Sequence, residues 1–283
     1  MTRILLACFL VLLPSVALAG DFADGVEALS KKDYDTAIAS FTAAIKEDPR
    51  AAAFAGRGIA YGYKKEYGKA IEDFSEAIRL DPKYVKNYHS RGIAYANKKE
   101  YGKAIEDFSE AIRLEPKHAQ NYHSRGIVYA NKKEYGKAIE DFSVTIRLNP
   151  KDIYAYHGRG NAYETTKQYD KAIEDFSEAI RLDPKNARGY DMLASMLATC
   201  PKDSVRDGKK AVEYATKACR LTDWKDGFSL DNLAAAYAES GDFKEAVRRQ
   251  KAVIELGFTD KGIMEGARKR LALYQAGKPY RAK

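Results

Sequence analysis

Three histidines recur at one interval: His89, His123 and His157, each 34 residues after the one before. Imidazoles repeated in register can hold a metal ion or line a polar groove. Ligands of one ion must lie within about 2.0–2.1 Å of it. Equivalent residues of successive helical repeats stand about a helix diameter apart, roughly 10 Å. The interval therefore argues against a metal centre, and no cofactor is expected. It favours a hydrogen-bonding surface in which Tyr88, Asn97, Tyr122 and Asn131 lie beside the histidines. Hydrated surface histidines are the plainer alternative.

A second set is charged. Arg57, Arg91, Arg125 and Arg159 share one position, and Asp73, Asp107, Asp141 and Asp175 another. The first, sixth and seventh units of the chain lack both, with Asp24, Leu193 and Leu233 at the first position and Ser40, Tyr214 and Arg249 at the second. An arginine turned into a helix interface needs a charge partner, because an unpaired buried charge is costly. The shared presence and absence pairs Arg91 with Asp107 and Arg125 with Asp141; arginines exposed for a ligand are the alternative. Lysine pairs Lys31-Lys32, Lys64-Lys65, Lys98-Lys99 and Lys132-Lys133 form a basic edge beside outward acidic residues such as Glu106 and Glu140. Such charges ordinarily keep an array soluble. No G-x-S-x-G, H-E-x-x-H or P-loop occurs, and no nucleophile–base pair can be named, so an enzyme is not expected.

The elements that position these residues follow from one string. KKEYGKAIEDFS occurs unchanged at Lys64–Ser75, Lys98–Ser109 and Lys132–Ser143, and KQYDKAIEDFS follows from Lys167. A fixed period of this size is the signature of a repeat array. Within Val85–His118, Tyr88, Gly92 and Tyr95 fall on one face of a helix over about Lys86–Lys98. Ala104, Phe108 and Ala111 do so on a second helix over about Gly102–Leu114. Gly92 and Gly126 are small enough for two backbones to cross closely, with aromatic rings on either side. Pro116 ends the second helix.

The pattern of aromatic, glycine, tyrosine, alanine, aromatic, alanine and proline resembles the tetratricopeptide repeat. The resemblance covers nearly the whole chain after residue 19. It implies an all-α fold: a right-handed superhelical solenoid of antiparallel helix pairs, closed by a C-terminal capping helix. The expected units are 20–50 (degenerate), 51–84, 85–118, 119–152, 153–186, 187–226 and 227–259, with a capping helix and tail over 260–283. The fourth unit has Thr145 where alanine is usual. The sixth has an enlarged turn from Pro201 to Gly208. In the last helix Arg268, Lys269 and Arg270 make one side polar, as suits the end of a stack. The resemblance implies a concave groove lined by Tyr88, His89, Asn97, Tyr122, His123, Asn131 and His157, holding a peptide or helix of a protein partner. Family members that bind chaperone C-termini use a lysine/asparagine/arginine clamp there. Only Lys86 matches it; His89, Ser90, Ile93, His123, Ser124 and Ile127 do not, so that specificity is not carried over.

The chain's start reads as an export signal. Arg3, the apolar Ile4–Leu13 and the small-x-small Ala17-Leu18-Ala19 predict cleavage after Ala19. Ten apolar residues are too few to span a bilayer, which takes about 20. A periplasmic or secreted protein with no membrane span after cleavage is expected. The net charge of +8 favours anionic partners in general, but it is too dispersed for nucleic acid, and no nucleic-acid-binding signature is present. Export permits a disulfide between Cys200 and Cys219. Cys219 lies some eleven residues along its helix from Gly208, roughly 16 Å, against a limit of about 7 Å between Cα atoms, so two free thiols are expected. Two readings follow: a scaffold gripping a partner segment in its groove, or an accessory protein docking its basic edge on anionic lipid or polysaccharide.

Overall fold

The computed structural model describes residues 20–282, so the expected signal over residues 1–19 lies outside the described residues. The described residues form fifteen α-helices, joined by tight turns. Two compact units divide between Pro150 and Lys151. The first holds four helix pairs: α1 (Gly20–Ser30) with α2 (Tyr34–Glu47), α3 (Ala51–Tyr63) with α4 (Tyr67–Leu80), α5 (Val85–Asn97) with α6 (Tyr101–Leu114), and α7 (Ala119–Asn131) with α8 (Tyr135–Leu148). The second holds α9 (Ile153–Thr165) with α10 (Tyr169–Leu182), α11 (Ala187–Thr199) with α12 (Gly208–Leu221), α13 (Gly227–Glu239) with α14 (Phe243–Leu256), and a last helix α15 (Lys261–Gln275). The expected helices over Lys86–Lys98 and Gly102–Leu114 each begin one residue earlier, at Val85 and Tyr101.

Packing follows the small-against-aromatic rule. A Cβ on Gly58, Gly92, Gly126 or Gly160 would meet the ring of Phe74, Phe108, Phe142 or Phe176 at 3.1, 3.0, 3.1 and 2.4 Å. These four rings are fully buried, as is Phe41 in the first pair. Burial of such rings is the main driving force of each pair.

The first helices end in an unexpected way. Lys65 donates its amide to the Gly62 carbonyl and Glu66 to the Tyr61 carbonyl, which closes the helix end with its orphan carbonyls satisfied. Lys65 then sits at φ 64°, and Lys32, Lys99, Lys133 and Lys167 at 61–64°. Glycine is usual there, and Gly241 fills the corresponding place after α13 at φ 88°. The enlarged turn contains a 3-10 turn at Asp203–Val205. Cys200 and Cys219 are buried free thiols in separate apolar clusters, and burial pushes the Cys219 thiol up to about 12. Of the polar side expected from Arg268, Lys269 and Arg270, the first two are exposed, whereas Arg270 turns inward to Asp231 at 2.9 Å, both side chains less than a fifth exposed.

Candidate interaction surface

In the first unit each arginine of the charged set grips its aspartate with two parallel hydrogen bonds. Arg91 Nε and Nη2 donate to Asp107 at 2.9 and 2.7 Å, and Arg125 to Asp141 at 2.8 and 2.8 Å. Arg57 and Asp73 match them, as do Arg159 and Asp175 in the second unit. The aspartates are 4–5% exposed. The free guanidinium arm does what the pairing argument missed. Arg91 Nη1 donates to Ser75 of the preceding pair at 3.0 Å, and Arg125 Nη1 to Ser109 at 2.8 Å. Tyr88 and Tyr95 flank Arg91 at 5.9 and 6.0 Å, and Tyr122 and Tyr129 flank Arg125 at 5.8 Å, within cation–π reach. Burial pushes the Asp107 and Asp175 carboxyls up, against the pull of their arginines.

Two of the three histidines expected in a groove are instead packed inside, and His89 is half-buried. His123 and His157 are 8% and 2% exposed. His89 lies edge-on to Phe108 with centroids 5.4 Å apart, and His123 to Phe142 at 5.7 Å. The reason is a register sequence reasoning missed. The fifth residue of one first helix packs on the third residue of the next. His89 Nδ1–H donates to Asn121 Oδ1 at 2.7 Å; the His157 Nε2 lies 3.6 Å from where a Gly189 Cβ would be; Asp191 accepts from the Ser229 hydroxyl at 2.9 Å. A small or short polar third residue makes room for the fifth. The sequence signal is the matched set of His/Asn, His/Gly and Asp/Ser. Both ring nitrogens of His157 are buried without a hydrogen-bond partner. Burial pushes His89 and His157 down to about 4 and Asp191 up to about 6.

The tyrosines and asparagines are largely used internally too. The Tyr88 hydroxyl donates to the Pro82 carbonyl and Tyr122 to Pro116, both at 3.2 Å. Asn97 donates to the Ile93 carbonyl at 3.0 Å. Of the seven residues expected to line a groove, Asn131 alone is exposed; the others are buried or half-buried. Among the described residues no cluster of three His, Cys, Asp or Glu could hold a metal ion.

The tetratricopeptide repeat family model matches residues 51–84, 85–118 and 153–186, and a second model of the same description matches 229–257. A crystal structure of MamA shares 31% identity over 58% of this chain and 96% of its own, with a TM-score of 0.55. The chain belongs to the tetratricopeptide repeat family. MamA residues 41 to the end from Desulfovibrio magneticus RS-1 share 26% identity over 62% of this chain and 97% of their own, at TM-score 0.56. The C-terminal part of a repeat protein from Cytophaga hutchinsonii, at 21% identity, covers 87% of this chain and 98% of its own at TM-score 0.68, and shows the fold alone. A comparison with curated proteins gives no match.

The tetratricopeptide register locates what internal packing leaves open. From the second pair on, the second residue of each first helix is exposed: Ala52, Lys86 and Gln120 in the first unit, Tyr154, Arg188 and Phe228 in the second. Tyr154 is 60% exposed and Phe228 55%. Sequence reasoning passed over this row because it carries no repeated residue type.

Proposed function

We propose that the protein is a non-enzymatic interaction scaffold whose second unit grips a protein segment through Tyr154, Arg188 and Phe228. The observation that carries this reading is an aromatic–cation–aromatic set, open to solvent, at one equivalent position of three consecutive first helices. Tyrosine and arginine are enriched among residues that dominate binding energy. Family membership supports a binding role, and the MamA likeness is consistent with it. The export signal read in residues 1–19 makes a periplasmic or secreted partner the one to seek. The test is Tyr154→Ala with Phe228→Ala in the full chain. Partner capture, assayed by crosslinking in intact cells, falls while the melting temperature stays within about a degree of the unsubstituted chain. Undiminished capture moves the surface elsewhere.

A second reading has its own observation. Lys65, Lys99 and Lys133 are exposed and hold a left-handed backbone that glycine would adopt more easily. Retention of lysine against that preference fits a basic edge that docks on anionic lipid or polysaccharide. Salt separates the readings, since exposed charges are screened beyond about 8 Å at physiological ionic strength. Lysine docking collapses at high salt; binding through Tyr154 and Phe228 persists.

A further inference from the structure

The segment that follows α15 folds back over the second unit. Gly277, at φ 67°, reverses the chain, and the Lys278 amide closes the helix end on the Leu273 carbonyl at 2.9 Å. From there the segment crosses successive first helices against chain order. The Tyr280 ring lies 5.7 Å from the Arg270 guanidinium on α15 and packs against the apolar cluster of α11 to α15. Arg281 Nη1 sits 2.6 Å from Glu239 Oε2 at the end of α13. The Ala282 amide donates to the Thr199 carbonyl at the end of α11, at 2.9 Å.

The receiving surface is organised for this contact. Glu239 has a 13% exposed side chain and is held on its other oxygen by Arg206 Nε at 2.9 Å. Arg206 is itself anchored on the Cys200 carbonyl at 2.7 Å and on Asp203. The enlarged turn thus has a purpose the repeat pattern does not require: it carries the arginine that aims Glu239. Arg270 is likewise fixed by Asp231. An oriented guanidinium face, an oriented carboxylate and a helix-end carbonyl together recognise an aromatic ring, a cation and a backbone N–H, in the order in which Tyr280, Arg281 and Ala282 present them.

We propose that Glu239, Arg270 and the Thr199 carbonyl form a recognition site for an extended segment carrying an aromatic residue followed by arginine, and that residues 280–282 are its internal occupant. A partner segment of the same chemistry binds by displacing them. This site is separate from the Tyr154, Arg188 and Phe228 row, and loss of either leaves the other intact.

The test uses the full chain and a labelled peptide of sequence Lys-Pro-Tyr-Arg-Ala as probe. Tyr280→Ala with Arg281→Ala releases the internal segment without touching the receiving residues. Probe affinity then rises by about tenfold or more, the gain expected when an occluding state populated some nine-tenths of the time is removed. Adding Glu239→Gln abolishes that gain. Hydrogen exchange at the Ala282 amide gives an independent readout: slow in the unsubstituted chain, fast in the released variant. Equal probe binding by both proteins, or a lowered melting temperature with no gain in binding, overturns the proposal and leaves the segment a staple for α15. Unprotected exchange at Ala282 in the unsubstituted chain overturns it as well.

Discussion

Asp141 lies 5% exposed beneath the fork of Arg125, so neither side chain can be removed without stranding the other. Arg125→Leu and Asp141→Leu are each expected to lower stability by about 3–5 kcal/mol, the range for breaking a buried pair. The double variant recovers part of that loss, because contacting residues couple by about 0.5–3 kcal/mol; urea denaturation of the four proteins checks it, and simple additivity contradicts the pairing. This pair was legible in the sequence because a buried charge has few ways to be satisfied. The histidines were not. Their fate depends on the third residue of the next first helix, Asn121 for His89 and Gly189 for His157, and no rule confined to one repeat contains that neighbour. Burial makes His89 and His157 acid-sensitive elements. His157 is held down to about 4 against an ordinary 6.5, so the unfolded chain takes up a proton that the folded chain refuses. Its contribution is present above about pH 6.5 and is lost as pH falls toward 4. His157→Leu also removes two buried nitrogens without partners. The drop in melting temperature from pH 7 to pH 5 should therefore shrink; an unchanged drop places a proton-accepting partner at His157.

At the scale of the helix, the sequence period located α5 and α6 to within a residue, since glycine faces phenylalanine in the pairs that carry the repeated string and misplacement would bury charge. The helix ends were less legible. A lysine pair reads as surface charge, and nothing in its composition announces that the second lysine carries a left-handed backbone. A non-glycine residue there costs roughly 1–2 kcal/mol, offset partly by the unfolded-state entropy glycine would add. Lys99→Gly is therefore expected to raise stability by about 0.5–1 kcal/mol, read from the denaturation midpoint. A loss of stability would show that the Lys99 side chain makes a contact outweighing its backbone preference. The enlarged turn belongs to the same scale: its length was legible as an interruption, whereas the aim of Arg206 at Glu239 required three elements to be in place.

Over the whole described chain, no helix is long and apolar enough to cross a membrane, and the repeat spends most of its chemically distinctive side chains on its own cohesion. Arginines join one pair to the next, histidines wedge between first helices, and tyrosines cap preceding loops. Function then falls to positions that vary from repeat to repeat, such as Tyr154 and Phe228, and variation is what a search for repeated motifs discards. The most direct measurement installs a photo-crosslinking side chain in the full chain, one site at a time, in intact cells. The sites are Tyr154, Phe228, the exposed second-helix residue Glu174 and the turn residue Lys99. One crosslinked partner species is expected from Tyr154 and Phe228 and none from Glu174. Crosslinks from Glu174 or Lys99 with none from Tyr154 and Phe228 would contradict it.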